Sequence, residues 1–332
     1  MGAYHIHTVF SDGHKHPDDI ASIAADLGLD FIILTDHGSP NKECLASEGW
    51  KHGVLVLAGS ELSVSRGHLV GLDFRIPPTV FPQNADQAAR MIDDLDGISI
   101  IAHPYSKTQW SWGDMNEYSG IEIINADSML KKDILRWLPY LPAIFFKPEL
   151  SILKMLTSPE RNLRKWDEMN RRRPVFGYFS TDAHFFYRAL LSSLRLHVLL
   201  ESPLSPEFEE AKQQVFDALR NGRFYNAVES AARADGLRFW AQAGDRTVEM
   251  GGYLILREQT FLKIQKNFLF ETETRLIHDG ATLLKSNEDM ISFKAEAPGS
   301  YRVEIYIKEK TPLGMNVPWI VANPIHLKRE IR

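Results

Sequence analysis

Nine histidines and carboxylates stand at or just beyond the ends of apolar runs. They are His5 and His7 in Tyr4-His5-Ile6-His7, Asp12 in Ser11-Asp12-Gly13, His37 after Phe31–Leu34 and Glu61 after Gly53–Ala58. His68 follows close behind Glu61, His103 ends Gly97–Ala102, and Asp182 and His184 follow Val175–Phe179. Imidazole and carboxylate are the groups that hold divalent metals, and neutral histidine is the commonest such ligand. On an extended segment alternate side chains share a face, so His5 and His7 are expected side by side. Six of the chain's twelve histidines belong to the set, and no lysine or arginine does. Nine ligands exceed what one tetrahedral ion needs and suggest two or three metals. With no thiolate among them, zinc, manganese and iron are all admissible. Each residue also has a bland reading. His103-Pro104 can be a turn, Asp36-His37-Gly38 a loop, Asp182-Ala183-His184 a helix cap, and Glu61 a partner of Arg66. All of these would have to coincide on one rim.

The elements that must position the set are legible as a repeat. Continuous apolar runs such as Phe31-Ile32-Ile33-Leu34 predict strands covered on both faces, as in a parallel α/β core. Between them, Pro17-Asp18-Asp19 opens a helix with acids at the positive end of its dipole, and Gly28 is a plausible stop. In barrels and open parallel sheets the C-terminal strand ends converge on one face, where active sites form. Gly120–Ile124 delivers Asn125 and Asp127 to the same rim. Residues 128–173 read as helix-rich, with Trp137, Trp166 and Met169 as packing residues. From about Gly236 the pattern becomes alternating: Tyr301, Val303, Ile305 and Ile307 take one face, Arg302, Glu304 and Lys308 the other. With turns at Asp279-Gly280 and Pro298-Gly299, this predicts a β-sandwich of about 95 residues.

Composition narrows the function. A chain of 332 residues with 44% hydrophobic and 24% charged residues has room for two domains and a sizeable core. A formal charge of −5 argues against a stable nucleic-acid partner held by phosphate neutralisation. The single cysteine, Cys44, allows no intrachain disulfide framework. No apolar run reaches the roughly 18 residues of a membrane-crossing helix, so no membrane partner is expected. No signal-peptide pattern is visible, and the location is read as cytoplasmic. The His5/His7 strand starts so near Met1 that a mature or truncated form is expected. Oligomeric state is not legible.

Taken together, His-Ile-His-Thr with Ser-Asp-Gly, Thr-Asp-His-Gly, Gly-Ser-Glu, Gly-His-Leu, Ala-His-Pro and Thr-Asp-Ala-His resemble the motifs of the PHP (polymerase and histidinol phosphatase) superfamily of metal-dependent phosphoesterases. The resemblance covers roughly residues 4 to 225 and fills all nine ligand positions. It implies an α/β fold, a distorted (β/α)7 barrel over residues 1–226 with a trinuclear site on its rim. His5, His7, Glu61 and Asp182 would hold the first metal. Glu61 would bridge to a second held by His68 and His103, while Asp12, His37 and His184 would hold the third. Residues 236–332 resemble the small immunoglobulin-like sandwich of carbaryl-esterase-like members, with Pro318–Ile325 as its closing strand.

The expected chemistry is hydrolysis of a small-molecule ester. A hydroxide shared by metals, at a pKa near 7, would attack phosphorus with no protein nucleophile. Glu61, Asp182 and His184 are the candidate catalytic side chains; which group moves protons is left open. Arg66, Lys107 and Arg188 flank ligand segments and are candidates to meet a phosphate, or else ordinary surface charges. Asn125 and Asp127 are further candidates to touch substrate. Trp110 and Trp112 either wall a substrate pocket or pack under a loop. The same centre could instead cleave a carboxylic ester, carbamate or amide, which the appended sandwich favours. A third reading, a barrel retained as a binding module, sits poorly with a complete ligand set.

Overall fold

The computed structural model describes residues 1–77, 79–106, 109–113, 118–132 and 146–330. Lys107 and Trp137 lie outside the described residues. The first strands are β1 Gly2–Ile6, β2 Phe31–Leu34, β3 Gly49–Lys51, β4 Val54–Val64, β5 Gly67–Leu72, β6 Ile98–Ile101, β7 Gly120–Asn125, β8 Phe176–Ser180, β9 Leu194–Val198 and β10 Phe224–Val228. The helices are α1 Pro17–Asp26, α2 Lys42–Leu45, α3 Ala85–Asp94, α4 Ala126–Lys132, α5 Pro148–Met155, α6 Glu160–Asn170, α7 Tyr187–Ser193 and α8 Phe208–Arg220.

The apolar runs behave as expected: every residue of β1, β2, β6, β7 and β8 is buried. Their alternate side chains fall into separate clusters. Tyr4, Ile33, Leu57, Ile100 and Tyr178 join Val215, Phe216 and Leu219 of α8 in one. Ile32, Leu34, Val56, Ile101 and Phe179 join Ile20 and Ala24 of α1 and Trp166 and Met169 of α6 in the other. Full burial of each aliphatic side chain contributes about 1.5–3 kcal/mol, so the two-sided runs dominate the stability of this half. Helix α1 starts at Pro17 and runs to Asp26, and Gly28, at φ +67°, turns the chain out of it.

The strands are joined in the order β1-β2-β4-β5-β6-β7-β8. Hydrogen bonding then returns to the start: Thr181 N donates to Tyr4 O (3.0 Å), Ala183 N to His5 O (3.3 Å) and His7 N to Ala183 O (3.0 Å). The remaining edge of β8 is satisfied by side chains. Gly177 N donates to Asn323 Oδ1 (2.8 Å) and Phe179 N to Asn226 Oδ1 (2.7 Å).

Three expectations need correction. First, β5 is antiparallel to both neighbours, so the strict βα repeat is interrupted by a β4–β5 hairpin. Second, Glu61 is not at a strand end. The strand continues to Val64, pairing with β2 through Ala58 and with β5 from Gly59 onward. Third, His5 and His7 do not converge through strand alternation. His5 has φ +64° and sits at a register shift between Tyr4 and Ile6, while His7 lies past the end of β1. A bulge re-aims the side chain here.

The C-terminal strands are β11 Arg238–Ala243, β12 Arg246–Glu249, β13 Tyr253–Ile255, β14 Thr260–Gln265, β15 Thr272–His278, β16 Ala281–Ser286, β17 Met290–Lys294, β18 Gly299–Ile307 and β19 Ile320–Lys328. β12-β11-β14-β17 form a four-stranded sheet. β16-β15-β18-β19 continue through β10 and β9 into β1, so one 15-stranded sheet runs from end to end. Phe239, Leu262 and Ile264 of the small sheet share a core cluster with Val303, Ile305 and Ile320 of the large one. The apolar face of β18 follows the predicted alternation. Its polar face is buried too, because Arg302 lies against Asp167 of α6.

Candidate metal centre

All nine candidates reach one cleft or its floor. Glu61, 1% exposed, is at the centre, and its two oxygens face different histidines. Oε2 lies 3.2 Å from His5 Nε2, 3.1 Å from His7 Nε2 and 3.3 Å from His37 Nδ1. Oε1 lies 2.9 Å from both His68 Nδ1 and His103 Nε2. Asp182 Oδ1 is 3.4 Å from His5 Nε2 and 3.3 Å from His7 Nε2. On the more exposed side, Asp12 Oδ2 is 3.2 Å from His184 Nε2 and 3.7 Å from His37 Nε2. Donor atoms of His5, His7, Glu61 and Asp182 lie within 4.8 Å of one another, as do those of His7, Asp12, His37 and His184, and those of His37, Glu61 and His68.

Backbone geometry brings these groups inward. His5, His103 and Asp182 all have positive φ (64°, 27° and 50°), a region that costs a non-glycine residue of order 1–3 kcal/mol. Each lies in or just beyond a strand, where an extended backbone would aim it elsewhere. The loop after β1 is clamped by Asp36, which accepts from Thr8 N (2.7 Å), Thr8 Oγ1 (2.8 Å) and Ser11 Oγ (2.6 Å). Gly13 completes that turn; a Cβ there would come 2.4 Å from His7 O.

Glu122, fully buried in β7, is a positioning residue that the sequence reading passed over. Its Oε1 lies 2.5 Å from His5 Nδ1, and its Oε2 accepts from His103 N (2.7 Å) and Asn125 Nδ2 (2.8 Å). A carboxylate facing Nδ1 fixes the proton there and turns the lone pair of Nε2 toward Glu61 and Asp182. His184 is held the same way by Asp182 O, 2.9 Å from its Nδ1. The available signal was a lone acid inside Gly-Ile-Glu-Ile-Ile, a strand otherwise apolar.

The electrostatics are those of crowded, oppositely charged groups out of water. Burial pushes the His5 imidazole down, but Glu122, Asp182 and Glu61 outweigh it and lift it well above the usual range. His7 is lifted likewise, to about 9, by Asp182 and Glu61 against the effect of burial. Despite burial, the neighbouring His5 holds Glu61 and Asp182 well below ordinary carboxylates, helped at Glu61 by His103 and at Asp182 by His7. His37 goes the other way, lowered by burial and by His7. Its Nδ1 is buried without a hydrogen bond. Converging lone pairs, an orphaned imidazole nitrogen and a carboxylate shared between two sides fit divalent cations, which would replace the protons now balancing the carboxylates.

The candidates for substrate contact divide. Asp127 lines the cleft together with Ser128 and Lys131 of α4, and Lys131 pairs with Asp127. Asn125 lines an adjoining recess. Arg66 is turned away from the cleft to Asp86 (2.6 Å), and Arg188 pairs with Asp26 beside a separate apolar pocket near Phe186. Local carboxylates capture both arginines, so neither meets the centre. Trp110 is buried edge-on against Tyr118 and packs under its loop. Lys131, and Arg161 in the recess, were not anticipated: both come from the helix-rich segment, where spacing alone does not show which face looks at the cleft.

No family model matches the chain. An uncharacterized protein of Methanocaldococcus jannaschii is 29% identical over 142 residues, which cover 37% of this chain and 80% of that protein. A two-domain protein of Bacteroides vulgatus containing a predicted PHP-like metal-dependent phosphoesterase is similar over 98% of this chain and 94% of its own, at 15% identity and a TM-score of 0.45. An amidohydrolase of Chromobacterium violaceum, solved with bound sulfate and no metal, is similar over 55% of this chain and 87% of its own, at 16% identity and a TM-score of 0.36.

Proposed function

We propose that the protein is a metal-dependent hydrolase of small-molecule esters, with phosphate esters as its substrates. The observation that carries the reading is the division of Glu61: one oxygen facing His5, His7 and His37, the other His68 and His103. On this reading His5, His7, Glu61 and Asp182 form one ion's site, Glu61, His68 and His103 the next, and Asp12, His37 and His184 a third. Zinc, manganese and iron all suit such donors. Bound divalent ions supply Lewis-acid activation of water and of an ester oxygen.

The protein's own groups do the rest. Glu122 holds His5 with its lone pair inward, and Asp182 O does the same for His184. Arg161 supplies cationic character beside the centre, which favours an anionic ester over a neutral one. Cleavage of a carboxylic ester, carbamate or amide is the second reading, supported by the strands appended after β10. The seven strands that close through Thr181 and Ala183 are read as the distorted (β/α)7 barrel, residues 1–226. Residues 236–332 are read as the immunoglobulin-like sandwich.

The test is nitrophenol release by Mn²⁺- or Zn²⁺-reconstituted protein from a phosphate monoester, a phosphodiester, a carboxylic ester and an aryl carbamate. Phosphoester turnover that disappears in His103→Ala is the expected result. Turnover of the carbon esters alone would transfer the function to the second reading.

A further inference from the structure

Beside the metal cleft lies a second recess that shares His103, Ser106 and Ser128 with it. The cavity volume is about 280 Å³ in the cleft and about 70 Å³ in the recess. The recess therefore has room for one small group of a ligand and not for a whole molecule. The walls of the recess mix polar groups with Tyr105, Met129 and Pro159 and are nearly neutral, apart from Arg161 in the first turn of α6 and the shared His103.

Arg161 is not held by a carboxylate as several other arginines are. Arg164 pairs with Glu160, Arg66 with Asp86, Arg188 with Asp26 and Arg302 with Asp167. Among the described residues Arg161 makes no ion pair with a carboxylate. Its guanidinium lies over the Tyr105 ring, 3.9 Å from the centroid, and Tyr105 packs against Trp112 at 5.6 Å. Lys165 Nζ stands 4.6 Å from the Trp112 ring, so the stack ties α6 to the loop after β6. The stack fixes the guanidinium plane without neutralising it.

We infer that the recess is a subsite for the non-reacting end of the substrate, and that this end carries a second anion read by Arg161. The inference rests on the hydrolase reading above. It narrows the substrate class to small esters whose remainder bears a carboxylate or a second phosphate. A planar, uncompensated guanidinium matches either group bidentately, and a neutral remainder would leave it unpaired.

Binding of phenylphosphonate, 4-carboxyphenylphosphonate and 1,4-phenylenebisphosphonate to the metal-loaded protein tests this by calorimetry, with Arg161→Gln and Arg161→Lys alongside. The doubly anionic compounds should bind at least about tenfold tighter than phenylphosphonate. That ratio should collapse in Arg161→Gln and return in part in Arg161→Lys. Whichever compound gains more identifies the anion as carboxylate or phosphate. Equal binding of all three, or an advantage that survives Arg161→Gln, would overturn the subsite and leave the hydrolase reading standing. If the metal-loaded protein binds none of the three, both the subsite and the phosphoester reading fall.

Discussion

Two buried clusters of charge can be set side by side. Between α6 and β18, Arg302 donates to both oxygens of Asp167 (2.6 and 2.8 Å) and to Glu304 (2.5 Å), whose other oxygen accepts from Tyr306 (2.6 Å). There every charge has a partner within the protein. Around Glu61 the same density of ionisable groups is differently built. Acceptors and lone-pair nitrogens point at one another, His5 Nε2 and His7 Nε2 stand 3.1 Å apart, and only protons on the imidazoles balance the carboxylates. A closed cluster needs nothing further; an open one is completed by a cation. Both are buried and both perturb pKa values, so pKa shift alone does not separate a structural cluster from a functional one. The direction in which the donors point does.

Glu61→Gln should abolish turnover, by at least about 10³-fold, because it removes the carboxylate charge that faces five imidazoles. Elemental analysis of the same variant should show fewer ions per chain. Asp167→Asn breaks the closed cluster instead, and should cost about 3–5 kcal/mol of stability in denaturant unfolding by leaving Arg302 buried and half-paired. Metal content and activity per folded molecule should stay as in the parent, which would sharpen the contrast. If Asp167→Asn loses metal, the two clusters are not independent.

Glu122→Gln probes the link from the protein frame to the centre. Losing the carboxylate behind His5 should weaken metal affinity by about 10–100-fold, read by competition with a chromogenic chelator. The smallest effect is on pH dependence in chelator-treated protein. His7 is raised from 6.5 to about 9, so its contribution is fully present below pH 6.5 and is lost as pH climbs through about 9. Glu61 and Asp182 are depressed, so their contribution is present above ordinary carboxylate pKa values and is lost only in strong acid. Calorimetry should therefore show the melting temperature of metal-free protein falling between pH 6.5 and 9, and that of loaded protein holding or rising.

How much of this was written in the sequence depends on the kind of signal. The nine candidate residues were legible because ligand chemistry restricts residue type and because they stand at or just beyond apolar runs. The route by which they meet was less so. Nothing in Tyr4-His5-Ile6 announces a positive φ at His5, and Gly59-Ser60-Glu61 reads as a strand end although β4 runs on into a hairpin. Glu122 carried a signal, an acid among isoleucines, that was overlooked. Arg66 and Arg188 read equally as phosphate contacts or as ordinary surface charges, because nearness in sequence to a ligand does not show that Asp86 and Asp26 stand closer still. The continuity of one sheet through β10 and β19, with Asn226 and Asn323 satisfying the edge of β8, depends on long-range pairing that no local pattern carries. Alternation in β18 showed its apolar face, but not that α6 would bury the polar one.

The most direct test of the central claim is to titrate chelator-stripped protein with Zn²⁺ or Mn²⁺ while following bound ions by native mass spectrometry and melting temperature. The account predicts two or three ions per chain, with a melting temperature that climbs as the ions bind. A folded chain that binds no ion and melts at the same temperature throughout would contradict it.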